Sequence, residues 1–138
     1  MKISAKLDYA CRALLELSLH WPNAEALSIA LISRRQKIPL KFLTQILLSL
    51  KQMGVVDSTR GQAGGYLLTQ APREIRLADV LKHFEDWKHL SAKNHELHTI
   101  AEVWAQMDET VLNFANKITF EDLLLKERNL QKVPSYTI

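Results

Sequence analysis

Three of the four glycines in this 138-residue chain lie within residues 61–65. A short run rich in β-forming residues precedes them at 55–59, and another follows them at 66–69. This spacing predicts a two-stranded β-hairpin whose loop needs positive φ angles or a very close approach between backbone segments. Arg60 lies at the tip of the predicted hairpin.

An amphipathic helix is predicted immediately before the hairpin, over residues 38–53. Pro39 suits its first turn, where a missing N–H costs nothing, and Gly54 follows its last apolar residue, where a C-cap glycine belongs. A helix followed at once by a hairpin with a basic tip is typical of the winged helix-turn-helix, in which the helix enters the major groove and an arginine lies in or near the minor groove. A surface hairpin without a ligand is the alternative interpretation. The apolar face of the helix consists of Leu40, Leu43, Ile46, Leu47 and Leu50.

Two further helices are predicted nearer the N-terminus. Ser4 can cap a helix over residues 5–20, and Ser28 can cap a short helix over 29–35. The connection at 36–38, between the short helix and the next one, has the length that a helix-turn-helix requires. The short helix is expected to bury Ile29, Ala30 and Ile32.

Charge is distributed unevenly along the chain. Residues 1–70 carry nine Lys and Arg against four Asp and Glu, a net charge of +5, whereas residues 71–138 carry nine against eleven, a net charge of −2. The basic half contains the predicted wing. A nucleic-acid surface is therefore expected on the N-terminal half only.

Cys11 is the only cysteine, which excludes an intrachain disulfide and any multi-cysteine metal site. We expect it to be a small buried hydrophobic residue, and a reactive thiol is the alternative. The chain has no run of eighteen apolar residues and no signal-peptide core at its start, where Asp8, Arg12 and Glu16 interrupt the apolar positions. A cytoplasmic protein that does not associate with a membrane is expected.

A long helix with heptad spacing is predicted in the C-terminal half, after a shorter helix that runs from Leu77 to about Phe84 or Asp86. A lone helix cannot bury an apolar seam of three heptads. It either packs on its own domain or, as we expect, pairs with a second copy of the chain. Thr119 and Asp122 are then placed to cap a final helix. The seam consists of Leu97, Ile100, Trp104, Met107, Val111, Phe114 and Ile118.

The predicted fold class is mainly α, a winged helix-turn-helix with a small β-hairpin wing and a long C-terminal dimerisation helix. The predicted division is a DNA-binding domain over residues 1–84, a sensor-type loop over 85–95, and the dimerisation helix with a C-terminal helix over 96–138.

The wing carries the motif Arg-Gly-x-x-Gly-Gly-Tyr at 60–66, and further matching segments lie at 2–10, 43–47, 75–80 and 116–119. With these segments the chain resembles the Rrf2 family of bacterial winged-helix repressors, of the IscR, NsrR and CymR type, over nearly its whole length. The resemblance implies a homodimer formed through the long helix, major-groove contacts from the helix after the turn, and a minor-groove contact from the wing arginine. The candidate DNA-binding residues are Lys2, Lys6, Tyr9, Ser28, Pro39, Lys41, Thr44, Gln45, Arg60, Gly61, Gly64, Gly65 and Tyr66.

One departure from the family concerns base recognition. The best-known member carries a glutamate where Thr44 stands, and a carboxylate accepts a hydrogen bond from cytosine N4. Threonine offers a hydroxyl and a methyl group instead, which suit thymine better, while Gln45 can pair with N6 and N7 of adenine. The operator of that member is therefore not expected to apply to this chain.

A second departure concerns the sensor loop. Many family members hold an iron–sulfur cluster through three cysteines before the long helix, but residues 87–97 contain none here. Thiolates are the usual ligands of such clusters, so we predict no cluster and no other cofactor. Four histidines are candidates for binding a metal or haem, or for a pH response, and the simpler alternative is a polar loop that contains histidines. They are His83, His89, His95 and His98.

The predicted function is that of a dimeric, sequence-specific regulator of transcription that binds double-stranded DNA and acts as a repressor. Its signal would come from an effector protein or a small ligand. A winged-helix module that binds proteins is one alternative, and a regulator that responds to a metal or haem is another. No nucleophile–base pair, H-E-x-x-H motif or phosphate-binding loop is present, so enzyme activity is not expected.

Overall fold

The computed structural model describes residues 2–22, 25–61, 64–85 and 99–132. Within these ranges the chain is mainly helical, with one two-stranded antiparallel sheet. The elements in chain order are α1 (Ala5–Leu19), α2 (Ile29–Gln36), α3 (Leu40–Met53), β1 (Val56–Thr59), β2 (Gly65–Leu68), a 3₁₀ turn (Pro72–Glu74), α4 (Leu77–Phe84), α5 (Thr99–Asn116) and α6 (Phe120–Lys132).

Side-chain caps fix the starts of three helices where the sequence predicts them. The Ser4 hydroxyl accepts a hydrogen bond from the Leu7 N–H at 3.1 Å, and the Ser28 hydroxyl accepts one from the Leu31 N–H at 3.2 Å. At the start of α6 the exchange is reciprocal. The Asp122 N–H donates to Thr119 Oγ1 at 3.2 Å, and the Thr119 N–H donates to Asp122 Oδ2 at 2.9 Å.

The predicted hairpin is confirmed, although β1 begins one residue later than predicted and β2 begins and ends one residue earlier. Val56 pairs with Leu68 at the base of the sheet and Thr59 pairs with Gly65 near the tip. Gly54 ends α3 in the left-handed conformation, with φ of 89°, as a C-cap glycine does. The wing therefore leaves α3 at a fixed angle.

Two predicted core positions are wrong. Leu40 is about half exposed and Ala30 is exposed, whereas both were expected to pack inward. Ile38, from the turn before α3, and Ile32 of α2 are buried in the same core cluster, and the buried face of α3 begins at Leu43. Leu40, at the first position of α3, and Ala30, at the second position of α2, lie outside that cluster. Ile29 is partly buried and packs against the same core.

The core joins both ends of the chain. Leu14 of α1 and Leu43 of α3 are fully buried, and so is Phe120 at the start of α6. Backbone hydrogen bonds hold α6 to the segment before α4, since the Phe120 N–H donates to the Ile75 carbonyl at 3.0 Å. The division into a DNA-binding domain over residues 1–84, a loop over 85–95 and a C-terminal part over 96–138 stays a prediction. Residues 86–95 of the predicted loop lie outside the described residues.

Candidate nucleic-acid interface

The turn between α2 and α3 is held by local hydrogen bonds. Lys37 adopts the left-handed conformation, with φ of 54° and ψ of 46°, and ends α2. The Ser33 hydroxyl donates to the Ile38 carbonyl at 2.6 Å, and the Ile38 N–H donates to the Ser33 carbonyl at 3.0 Å. The Pro39 carbonyl accepts the first hydrogen bonds of α3. These contacts fix the direction in which α3 leaves the turn.

Glu16 fixes α2 against α1. This side chain is 2% exposed, and Arg35 Nη1 lies 3.4 Å from its Oε1. A buried carboxylate needs such a partner, because an unpaired charge away from water is costly. Arg35 therefore has a positioning role, while Arg34 stays exposed beside it. The sequence pattern alone did not single out Glu16, because its partner Arg35 lies on a different helix, 19 residues further along the chain.

The outward face of α3 carries three of the predicted major-groove residues. Lys41, Thr44 and Gln45 are all exposed, opposite the buried face of the helix. The Thr44 hydroxyl donates to the Leu40 carbonyl at 3.0 Å within the same helix. Pro39, also exposed, stands at the N-cap position of α3. The predicted set is thus presented on one accessible surface.

A cleft of about 380 Å³ lies between α1 and α3. Lys6 and Tyr9 line it from α1, and Gln45 lines it from α3, so three predicted DNA-binding residues meet at one place. The Lys6 ammonium also lies 5.8 Å from the centre of the Phe84 ring. Lys2, just before α1, is exposed.

The wing glycines serve the backbone in two different ways. Gly61 has a φ of 106°, a conformation that other residues rarely adopt. A Cβ at Gly64 would lie 2.7 Å from the carbonyl oxygens of Thr59 and Gly61, and a Cβ at Gly65 would overlap the Leu27 carbonyl. The structure therefore assigns Gly64 and Gly65 a packing role, and contact with DNA stays a prediction for both.

The wing is also tied to the rest of the domain. The backbone of Tyr66 exchanges two hydrogen bonds of 2.8 Å with Leu27, so an isolated antiparallel β-bridge joins the segment before α2 to the hairpin. On the other side, Lys51 Nζ at the end of α3 donates to the Ser58 hydroxyl at 2.8 Å. Ser28 uses its hydroxyl to cap α2. Arg60 is exposed at the tip that these contacts support.

The predicted seam on α5 is largely exposed in the protomer. Phe114 is 65% exposed, and Ile100, Trp104 and Met107 are each exposed by about half. Val111 is partly buried and packs against the core. Leu97 lies outside the described residues. Pairing with a second copy stays a prediction.

The histidine candidates are only partly described. His83 lies at the end of α4, is exposed, and makes an edge-to-face contact with the Phe84 ring at 5.1 Å between centroids. His89, His95 and His98 lie outside the described residues. Within the four described ranges, no three His, Cys, Asp or Glu side chains are grouped in a way that could hold a metal ion.

Cys11 is partly buried in α1 and lines a groove of about 200 Å³ between α1 and α6. Burial raises the pKa of its thiol to about 12, and the negative charge of Asp8 contributes in the same direction. Because the thiolate is the reactive form and the form that binds metals, this environment disfavours both a redox role and ligation.

Alkylation of Cys11 in the folded protein is expected to be slow. With the pKa raised from 9.0 to about 12, the thiolate fraction near pH 8 falls by a factor on the order of 10³. Iodoacetamide labelling followed by mass spectrometry measures the rate, with the protein unfolded in guanidinium chloride as the control. Equal rates in the folded and unfolded protein would show that the thiol is accessible and ionised.

No helix in the described part of the chain is both long and apolar enough to cross a membrane.

The model of the family described as Rrf2, iron-dependent transcriptional regulator, matches residues 3–126 of the chain. A protein of Synechocystis that carries the name of an HTH-type transcriptional regulator is 33% identical over 137 residues, which is 95% of this chain and 92% of that protein. The regulator IscR of Pectobacterium carotovorum is 30% identical over 134 residues, 90% of this chain and 79% of that one.

Solved structures of regulators show the same fold. The structure of IscR from T. potens is 26% identical and superposes with a TM-score of 0.84, over 99% of this chain and 95% of that one. The structure of CymR, the global cysteine regulator of B. subtilis, is also 26% identical, with a TM-score of 0.79 over 91% of this chain and 98% of that one.

Proposed function

The chain belongs to the Rrf2 family of DNA-binding transcriptional regulators, and we propose that it represses transcription as a homodimer that needs no iron–sulfur cluster. The observation that carries the proposal is the surface formed by α3 and the cleft beside it, where Lys6, Tyr9 and Gln45 meet. Hydrogen bonds within the turn before α3, and between the end of α3 and the wing, support the orientation of this surface.

We propose that α3 lies in the major groove, with Lys41, Thr44 and Gln45 towards the bases. Side chains at the N-terminal part of a recognition helix contact base edges, while neighbouring groups contact phosphates and fix the register. Lys2, Lys6 and Tyr9 at the start of α1 have the chemistry for phosphate contacts. Arg60 at the wing tip would enter the minor groove, which attracts arginine where A·T pairs narrow it.

The proposed dimer forms through α5. Exposed apolar side chains at heptad spacing, Ile100, Trp104 and Met107 among them, give this helix a surface that water disfavours. A two-fold axis through such a helix pair would present two copies of α3 to a palindromic site. The half-sites would then lie about 34 Å apart, one turn of the duplex.

The residues of this chain do not fit a cysteine-ligated cluster. Such clusters are held by several thiolates, and the chain has one cysteine, Cys11, whose thiol pKa is raised to about 12. The iron dependence in the description of the family is therefore not carried over to a cluster of that kind. We propose that an effector protein or a small ligand supplies the signal instead.

Replacing Arg60 with alanine tests the wing contact. We expect binding to a selected operator to weaken about tenfold, with the largest loss on A·T-rich flanks, since the arginine would otherwise be attracted to the narrow groove. Gel shift at fixed salt measures the affinity. Arg73→Ala, at an exposed position on the 3₁₀ turn, is the matched control and is expected to bind as the parent chain does. If Arg60→Ala binds as tightly as Arg73→Ala, the wing does not enter the minor groove.

A further inference from the structure

Exposed leucines on α3 have no role in the surface described so far. Leu48 is 56% exposed, and it follows Thr44 by one helical turn and Leu40 by two. At about 100° per residue, Leu48 lies opposite the buried face of α3, on the same side as Lys41. The three residues Leu40, Thr44 and Leu48 form what we call the α3 apolar stripe.

Thr44 belongs to this stripe through its methyl group. Its hydroxyl hydrogen is engaged by the Leu40 carbonyl at 3.0 Å, so the side chain has no free donor for a base. The hydroxyl oxygen can still accept a hydrogen bond, and the methyl group is the remaining contact surface. Thr44 is therefore expected to contact a base mainly through its apolar methyl group, as its leucine neighbours would, and not by donating a hydrogen bond.

If α3 lies in the major groove, the group there that is complementary to an apolar stripe is the C5-methyl group of thymine. Base edges there present hydrogen-bond donors and acceptors, except that thymine presents its C5-methyl group. From Leu40 to Leu48 the helix rises about 12 Å, which spans three to four base-pair steps of about 3.4 Å. The length suits contacts with more than one base pair.

We infer that Thr44 and Leu48 recognise thymine methyl groups in each half-site, with Leu40 extending the contact towards the start of α3. The inference rests on the proposed function and adds the base class that α3 selects. Gln45, on the adjoining side of the helix, would pair with adenine, so each half-site would combine adenine and thymine in the part that α3 covers.

Exposed cations on α3, on the turn before it and on α2 favour DNA over a protein as the occupant of the stripe. Lys41 lies on the same helix face, and Arg34 and Lys37 are exposed on and after α2. A surface that combines exposed leucines with these cations is poorly suited to an apolar protein partner, which would have to desolvate the charges. Phosphates on either side of the major groove are complementary to them.

The test compares thymine with uracil, which lacks only the methyl group. Binding duplexes are first selected from a random library, and the best one is remade with deoxyuridine at each thymine in turn. For the parent chain we expect one or two positions in each half-site where the loss of the methyl group weakens binding about fourfold, which corresponds to about 0.8 kcal/mol. Fluorescence anisotropy measures the affinities.

Two variants assign these positions to side chains. In Leu48→Ala and in Thr44→Ser, which keeps the hydroxyl and removes the methyl group, we expect the difference between thymine and uracil to vanish at one position each. Leu125→Ala is the matched control, because Leu125 is 53% exposed on α6 and should leave the parent pattern unchanged. Circular dichroism confirms that each variant is folded.

The outcomes separate the two proposals. If the parent chain binds a selected duplex but binds its uracil forms equally well, methyl recognition is wrong while DNA binding stands. If Leu48→Ala and Thr44→Ser both keep the full parent pattern, other side chains contact the methyl groups, and the role of the α3 apolar stripe is wrong. If no duplex is selected at all, the proposed function itself fails.

Discussion

Replacing Gly65 with alanine is expected to destabilise the protein by about 3 kcal/mol and to lower its melting temperature by roughly 10 °C. The added Cβ would overlap the Leu27 carbonyl and lie 2.9 Å from the Ser28 nitrogen. The neighbouring atoms belong to the backbone, so no side chain can move aside. The segment that pairs with Tyr66 would have to leave the wing, and DNA affinity should fall with it. Thermal unfolding and gel shift measure the two effects.

Gly54→Ala is the control for this prediction. Nothing lies within 4 Å of a Cβ at Gly54, although its φ of 89° is unfavourable for alanine. The expected cost is therefore only the backbone strain, about 1 kcal/mol. Equal stability of the Gly65 and Gly54 variants would show that close packing against Leu27 does not set the geometry of the wing.

Replacing Trp104 with glutamate is expected to convert the proposed dimer into monomers. In the protomer Trp104 is exposed by about 40%, so its removal leaves the core intact. In a two-fold dimer the substitution would bury two unpaired carboxylates close to each other, which is strongly unfavourable. We expect the dissociation constant of the dimer to rise at least a hundredfold. Sedimentation equilibrium measures it.

Gln106→Glu is the matched control, since it introduces the same charge on α5 at an exposed position outside the predicted seam. This variant is expected to remain dimeric. A dimer that survives Trp104→Glu would place the subunit interface elsewhere. Binding to a palindromic duplex should weaken in the Trp104 variant alone, because only that variant would present a single copy of α3.

The ends of several helices could be predicted because the signals for them are local. Ser4 and Ser28 cap helices at positions that the structure confirms, and Gly54 ends α3 as its spacing indicates. Thr119 and Asp122 form a reciprocal cap even though glutamate is usual at the second position. Each of these interactions joins residues only a few positions apart.

The roles of the wing glycines could not be separated from the sequence. Clustering indicated either a positive φ or a close approach, and the structure shows the first at Gly61 and the second at Gly64 and Gly65. The atom that excludes a side chain at Gly65 belongs to Leu27, far away in the sequence. A contact of that kind depends on the folded chain, so no local pattern could reveal it.

The hydrophobic periodicity also did not suffice to predict which individual apolar residues are buried. Periodicity placed Leu40 on the buried face of α3, but that face begins at Leu43, and the turn before the helix contributes Ile38 to the core cluster. Leu48 falls on the opposite face, which agrees with its absence from the predicted apolar face of the helix. The same limit applies to α5, where heptad spacing does not say whether the seam packs within one chain or between two.

The most direct test of the proposed function is to measure, by fluorescence anisotropy, how tightly the metal-free protein binds a selected duplex at increasing salt concentrations. If α3 and the wing bind DNA without a cluster, the logarithm of the affinity should fall linearly with the logarithm of salt, with a slope equivalent to about six or more phosphates. At each salt concentration the selected duplex should bind about 10³-fold more tightly than a scrambled one. An affinity that does not change with salt, or equal binding to both duplexes, would contradict sequence-specific DNA binding by this surface.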